Sequence, residues 1–358
     1  MKLLRTISVV VVGALVGLFA LSGQATAKKS KRPVLTSVRT TDSIVLDAKA
    51  EGAWNKAKAL EVHLDKQPYK PNNGYKGIKE TTVKLKSLYD KEYIYFLIQY
   101  EDPTKSLERF PWIKQKDGSW KQLSNKDSTG HDNTYYEDKL GMYWAIKARG
   151  FQKKGCDISC HIKEDGKVDG KPDKSAGRKF TRKPGETIDM WHWKGVRSNP
   201  VGMFDDQFVD HTRDPKANKN WGRKGDVKTG GGYKNNHNKA KTNPAYMNPS
   251  MNEDNKYWVY DDTKVKFVDK FKAGAVIPGI VVSPFTGPRG DIKAKGVWAN
   301  GVWTIELKRK LVTTGEKADI QDVQFKDTSK PYYFGVSVFD NSQINHIYHD
   351  GSLELRFK

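Results

Sequence analysis

The sequence predicts a mainly β chain, an antiparallel β-sandwich with long loop insertions. Three observations carry that expectation. Apolar and polar residues alternate with period two in short stretches such as 82–89 (TVKLKSLY), the mark of a strand with one buried face. Longer apolar runs such as 93–100 (YIYFLIQY) suit strands buried on both faces. No long stretch keeps a 3.6-residue apolar period, and Gly, Pro, Asn and Asp bound the candidate strands, as they do in sandwiches.

Taken in order, residues 1–27 read as a secretory signal: Lys2 and Arg5 start it, an apolar stretch spans 7–21, and Ala25-Thr26-Ala27 supplies small residues for cleavage. The apolar run is short for a spanning helix, which needs about 20 residues. The mature chain is therefore expected outside the cytoplasm, in the periplasm or an equivalent compartment, with no membrane span after cleavage. Residues 28–42 are basic and read as a loose N-terminal arm. From 43 to 358 a single sandwich domain is expected. It opens with a short strand at 43–47 (SIVLD) and a turn at 52–54, followed by strands at 82–89, 93–100 and 140–146 (LGMYWAI). Further strands are expected at 301–308 (GVWTIELK), 332–339 (YYFGVSVF) and 352–357 (SLELRF). Between 205 and 261 the chain turns rich in Lys, Asn and Gly, and reads as a polar insertion on one face of the sandwich.

Composition narrows the function. The chain has 358 residues, with 63 Lys and Arg against 42 Asp and Glu, and a formal charge of +21. Ten Trp, 16 Tyr and 14 Phe demand burial and argue against disorder. Two cysteines are too few for a disulfide scaffold. The lysines are spread along the chain and not gathered on one helix, so no nucleic-acid partner is expected, and the charge suits docking to acidic partners. No phosphate-cradling loop, dinucleotide fingerprint, His-Glu-x-x-His or Gly-x-Ser-x-Gly occurs, and no catalytic residue is assigned.

Three segments hold the chemistry. Cys156-Asp-Ile-Ser-Cys160-His161 has the parts of a covalent haem site: two thiols to reach two vinyl groups, and a histidine directly after them to bind iron. The usual spacing has two intervening residues; here there are three. A Cys156–Cys160 disulfide with an incidental His161 is the plain alternative, and a zinc site lacks a second ligand pair. In Asp189-Met-Trp-His-Trp-Lys194, Trp191 and Trp193 flank His192 and are placed to wall a flat macrocycle, with His192 or Met190 pointing at it. Ordinary aromatic core packing is the competing reading. Near the C-terminus, His346 and His349 face opposite sides of an extended segment, so at most one points inward. A haem iron used for electron transfer takes His or Met as its further axial ligand; surface histidines at a strand end are the alternative.

These two motifs, Cys156–His161 and Asp189–Lys194, resemble the haem-binding domain family related to the γ subunit of ethylbenzene dehydrogenase. The resemblance extends through Asn199-Pro-Val-Gly202, Asp205-Asp-Gln207, Gly230-Gly-Gly-Tyr233 and Arg289-Gly-Asp-Ile292. It continues in Gly301-Val-Trp303, Arg309-Lys-Leu311, Asp322-Val-Gln-Phe325 and Phe334-Gly-Val336 to Phe339-Asp-Asn341. It implies a sugar-binding-module or DOMON-like sandwich that holds one haem at its edge. The implied partners are the molybdopterin catalytic subunit and the iron–sulfur subunit of a nitrite oxidoreductase or nitrate-reductase type complex, with a soluble or membrane redox carrier. The γ subunits closest to ethylbenzene dehydrogenase hold b-type haem with Met and Lys ligands, whereas Cys156, Cys160 and His161 stand where those chains carry a ligand-bearing loop. That implies haem c with His161 as proximal ligand, and b-type haem as the alternative. His346 or His349 is the expected distal ligand, because a neutral imidazole binds iron without shedding an ammonium proton. Lys293, Lys295 and His192 are the weaker candidates.

The expected function is thus a non-catalytic, exported electron-transfer subunit of an oxidoreductase complex. An exported carbohydrate- or ligand-binding module with a Cys156–Cys160 disulfide and no haem is the alternative. A basic polyanion-binding scaffold is the third.

Overall fold

The computed structural model describes residues 32–160, 179–214, 216–252 and 255–358, together with the backbone of 167–168 and 171–172. The expected signal at 1–27 and His161 lie outside the described residues. Thirteen strands form one continuous sheet. In chain order they are β1 (Val34–Arg39), β2 (Leu60–Leu64), β3 (Thr81–Tyr89), β4 (Tyr93–Glu101), β5 (Lys139–Lys147), β6 (Thr187–Lys194) and β7 (Asp205–Val209). They continue as β8 (Arg223–Gly225), β9 (Lys293–Ala299), β10 (Val302–Lys310), β11 (Tyr332–Phe339), β12 (Ile347–Tyr348) and β13 (Leu353–Phe357). The spatial order is β8-β7-β6-β5-β11-β13-β1-β3-β4-β10-β9, with β2 added to β3 and β12 to β11.

The two halves of the sheet face each other across a core of large rings. Phe96 of β4 lies 5.7 Å from Trp144 of β5 and 5.9 Å from Trp191 of β6. Trp193 of β6 meets Trp303 of β10 at 4.8 Å. Trp144 stacks on Phe334 at 4.6 Å. All six rings are at most 1 % exposed, and pairs at these separations add about 0.5–1.5 kcal/mol each beyond burial. The molecule is the mainly β sandwich that the alternation predicts.

Two local expectations are corrected. The basic arm is not loose over its whole length: β1 sits between β13 and β3 and runs parallel to both. Only Leu35 and Ser37 of β1 are fully buried, so its composition looks like a tail although its backbone joins the two halves of the sheet. The strand expected at 43–47 does not form. Its backbone donors go instead to a side chain, as Glu306 Oε2 accepts from the N–H groups of Asp47 (2.7 Å) and Ala48 (2.5 Å). Glu306 Oε1 also accepts from Trp54 Nε1 at 2.6 Å.

The segment expected as an insertion is partly sheet. Its first residues form β7, which pairs with β6. Gly230–Asn235 pairs with Ile280–Thr286 in a small separate sheet that Val259–Tyr260 completes. Residues 32–358 make one compact unit. Among the described residues no helix is long and apolar enough to cross a membrane.

Replacing Glu306 by Ala should strand three donors. The expected loss is about 2–4 kcal/mol, counting roughly one unmet hydrogen bond for each. Urea unfolding is the measurement, with the midpoint falling at an unchanged slope.

Candidate functional site

Strand β6 is buried on both faces, and its alternation decides what each face does. Asp189, Trp191 and Trp193 point to the ring core between the sheet halves. Met190 and His192 point the other way, into a cleft of about 50 Å³. Register carries this second face across three strands. Met190 lies beside Tyr143, which lies beside Gly335; His192 lies beside Gly141, which lies beside Ser337. Phe339 of β11 extends the same face.

The two glycines thin this floor. A Cβ on Gly335 would lie 2.6 Å from Cys156 Sγ, and one on Gly141 would lie 2.9 Å from Ser337 Oγ. The roof is the segment that follows β5. A short helix at Phe151–Lys154 leads into a 3-10 turn at Cys156–Ile158, and Phe151 anchors it, fully buried among Ile158, Ile188 and Val209. Cys160 N–H donates to Cys156 O at 2.8 Å, a helical i to i+4 bond. One turn of helix holds 3.6 residues, so three intervening residues bring both thiols to the same side. Cys156 and Cys160 both line the cleft. Both are free thiols in this structure. Burial first, then the neighbouring Cys160, pushes the Cys156 thiol well above its ordinary value, so it is held protonated.

Two imidazoles face the thiols, from His192 and His346. His346 is 6 % exposed and its ring lies 4.6 Å from Phe339, which in turn lies 5.7 Å from His192. His346 Nδ1 sits 2.8 Å from the carbonyl of Ile344, so that nitrogen is the donor and the ring is oriented through it. His192 is 5 % exposed and neither of its ring nitrogens has a hydrogen-bond partner. Burial, followed by Lys194, Lys139 and Arg223, pushes its pKa well below the ordinary histidine value, so the imidazole is neutral and able to ligate. A buried polar group without a partner is costly, and both nitrogens remain available to ligate.

His349 takes another role. Its Nε2 accepts the N–H of Val336 at 3.1 Å and its Nδ1 lies 3.2 Å from Asp350 O. It caps the floor strand β11 and does not line the cleft. Lys293 and Lys295 lie on the edge strand β9, both exposed. Lys293 Nζ donates to Gly290 O at 2.9 Å, and Lys293 bridges Met203; neither lysine reaches the cleft. Trp191 and Trp193, expected as its walls, belong to the core. Sequence reading missed Lys179 and Arg223, which line the cleft with cationic groups. It also missed Gly141 and Gly335, whose signal was a glycine inside an apolar run.

The cationic rim is dense. Lys194 is ion-paired with Asp205, and Arg197 with Glu137, in contacts shielded from water. Burial opposes ionisation of Asp205, but Lys194 and Arg289 beside it hold its carboxyl well below the usual carboxylate range. Lys139 Nζ lies 4.1 Å from the Phe339 ring centre and donates to Gln343 O at 2.9 Å.

Fold and cleft together define a β-sandwich protein with a cleft lined by two thiols and two imidazoles. The chain belongs to the ethylbenzene dehydrogenase family, whose model matches residues 51–351. Membership makes it an oxidoreductase-associated chain and implies association with a molybdoenzyme complex. No curated protein sequence matches it. Among solved structures it is similar to a family 9 carbohydrate-binding module from Caldicellulosiruptor kristjanssonii in complex with glucose. That match has 10% identity, covers 92% of this chain and 96% of that one, and has a TM-score of 0.34. The cellotriose complex of a family 9 module from the same organism matches at 10% identity, 91% and 94% coverage, and a TM-score of 0.31.

Two expectations test this geometry. Gly335→Ala should push Cys156 off the floor and destabilise the fold by about 1–3 kcal/mol, the usual cost of overpacking, read by thermal melting. The second concerns acid. Burial depresses the His349 pKa, so the unfolded chain binds the proton more readily, and stability falls as pH drops through the unfolded value near 6.5. His349→Gln keeps an acceptor for Val336 N–H without a titrating nitrogen. It should lose less stability than wild type between pH 7.5 and 5.5, compared by denaturant midpoints.

Proposed function

We propose that this chain is a non-catalytic haem-binding electron-transfer subunit of an exported oxidoreductase complex. One observation carries the reading: two thiols on a single helical turn face the same cleft as a buried neutral imidazole whose nitrogens have no partner. In this reading Cys156 and Cys160 fix the haem as thioethers. Each thiol would supply its S–H for addition across a vinyl C=C, an addition that balances without an oxidant. His161 follows Cys160 directly in sequence and is the proximal ligand. His346 is the distal ligand, because its Nδ1 contact to Ile344 O supplies the orienting partner that iron-bound imidazoles use; His192 is the alternative. Lys179 and Arg223 suit the carboxylate tails of a haem.

When bound, the haem supplies the one-electron carrier. The protein's residues hold it, exclude water and set its surroundings. The apolar floor of Met190 and Phe339 and the roof at Ile158 lower the local dielectric, and the nearby lysines and arginines favour the reduced, less positive iron. The partners in this reading are the molybdopterin and iron–sulfur subunits of the same complex, of nitrite oxidoreductase or nitrate-reductase type, and a redox carrier that docks on the basic surface.

A b-type haem is the second reading, favoured by Met190, a thioether that lines the cleft beside the imidazoles.

Haem staining after denaturing electrophoresis separates the two. Covalent haem is expected in the wild-type chain and absent from the Cys156→Ser, Cys160→Ser double variant. Haem that leaves with acidified acetone from wild type would instead establish the b-type form, and a colourless protein expressed with haem supplied would overturn both. His346→Ala should leave the haem attached but change the visible spectrum of the oxidised protein.

A further inference from the structure

Away from the cleft, three carboxylates meet where three strands end. Asp102 directly follows β4, Asp138 directly precedes β5, and Asp340 directly follows β11. All are at most 4 % exposed, and one oxygen of each lies within 4.8 Å of the others. No lysine or arginine pairs with any of them among the described residues. The N–H groups of Thr104, Ser106, Ile78 and Asn341 and the indole of Trp303 donate to them, but three buried carboxylates still repel, and without a cation the cluster is costly.

A second group points to what compensates it. The Tyr100 hydroxyl is 1 % exposed, has no hydrogen-bond partner, and has these same three carboxylates as its charged neighbours. Asp102 Oδ2 is likewise buried without a partner. The remaining oxygens are spaced as a cation spaces its ligands. Thr104 Oγ1 lies 3.3 Å from both Asp102 Oδ1 and Asp340 Oδ1, and Ser106 Oγ lies 3.4 Å from Asp340 Oδ1 and from Thr104 Oγ1. Direct O–H···O bonds are shorter, about 2.7–2.8 Å. Neighbouring oxygens bound to one ion at about 2.4 Å stand roughly 3.4 Å apart.

We propose that Asp102, Asp138 and Asp340, with the hydroxyls of Thr104 and Ser106, form a calcium site. The donors are all oxygen, which selects a hard cation over zinc or copper. Several protein carboxylates in a closed cage suit calcium better than magnesium, which keeps most of its water. Thr104 is exposed and Ser106 half-buried, which leaves a way in from solvent. The ion would pin the ends of β4, β5 and β11, and the last two continue into the floor of the cleft through Gly141 and Phe339. The other buried acidic cluster, Asp189, Asp206 and Asp322, already has the Arg309 guanidinium 3.4–3.9 Å from its oxygens.

The full chain, stripped with a chelator and then dialysed against radioactive calcium, tests the site. Wild type should take up calcium, and Asp340→Asn should bind one equivalent less. Thr104→Ala combined with Ser106→Ala, at the exposed rim where folding is not at stake, should weaken calcium affinity about tenfold. Wild-type chain that binds no calcium overturns the proposal. So does an unchanged affinity in the rim variant, whether or not Asp340→Asn folds.

Discussion

Strand β6 is buried on both faces, and the two faces cannot be exchanged. A strand alternates strictly, so a slip of one residue would put Met190 and His192 into the ring core and Trp191 and Trp193 into the cleft. Asp189 helps to fix the register. Its Oδ2 accepts from Val323 N–H at 2.8 Å and from Trp191 Nε1 at 2.9 Å, and Arg309 stands 3.5 Å away. On the core side the two tryptophans fill the space between the halves. On the other side the pairing with β5 and β11 sets Tyr143, Gly141, Gly335 and Ser337 beside Met190 and His192, and so makes a floor. Position, polarity and depth of the cleft follow from that one registration.

The same alternation shows how much was legible in the sequence. The apolar runs marked β4, β5 and β11 because burial on both faces leaves few polar positions. The cysteine pair stood out in the sequence, and its odd spacing becomes regular once the segment is a helical turn. The assignment of Trp191 and Trp193 to the cleft overlooked period two: residues flanking His192 necessarily point away from it. β1 was not legible, because a central strand with half its side chains at the surface resembles a tail, and its partners, β3 and β13, lie far along the chain. Lys179 and Arg223 could not be placed either, since their approach to the cleft depends on loops that local sequence does not position.

The formal charge of +21 is not simply a surface field. Lys139, Lys194, Arg197 and Arg309 are buried, and buried ions are tolerated only when paired and hydrogen-bonded. Asp205 serves two cations, Lys194 and Arg289, and Glu137 receives both Arg197 and the N–H groups of Val196 and Arg197. Burial first, then the positive charge of Lys194 and other nearby cations, keeps His192 neutral. A site walled this way favours a ligand that brings negative groups to its rim and an apolar body to its floor.

A floor built on glycine has little stiffness of its own, because Gly141 and Gly335 contribute no side chain to pack. Its rigidity must come from beneath and from the strand ends. Beneath, Trp144 stacks on Phe334, directly on the core side of the same two strands. At the ends, Asp138 accepts from Ser106 N–H at 2.8 Å and Asn341 N–H at 3.0 Å, and Asp340 accepts from Ile78 N–H at 2.9 Å, tying loops from both halves of the sheet to β5 and β11. Cys156 can lie against the floor only because the floor is thin, and the floor can be thin only because its strands are clamped elsewhere. The acidic cluster at the strand ends and the thiols in the cleft are thus two ends of one mechanical element.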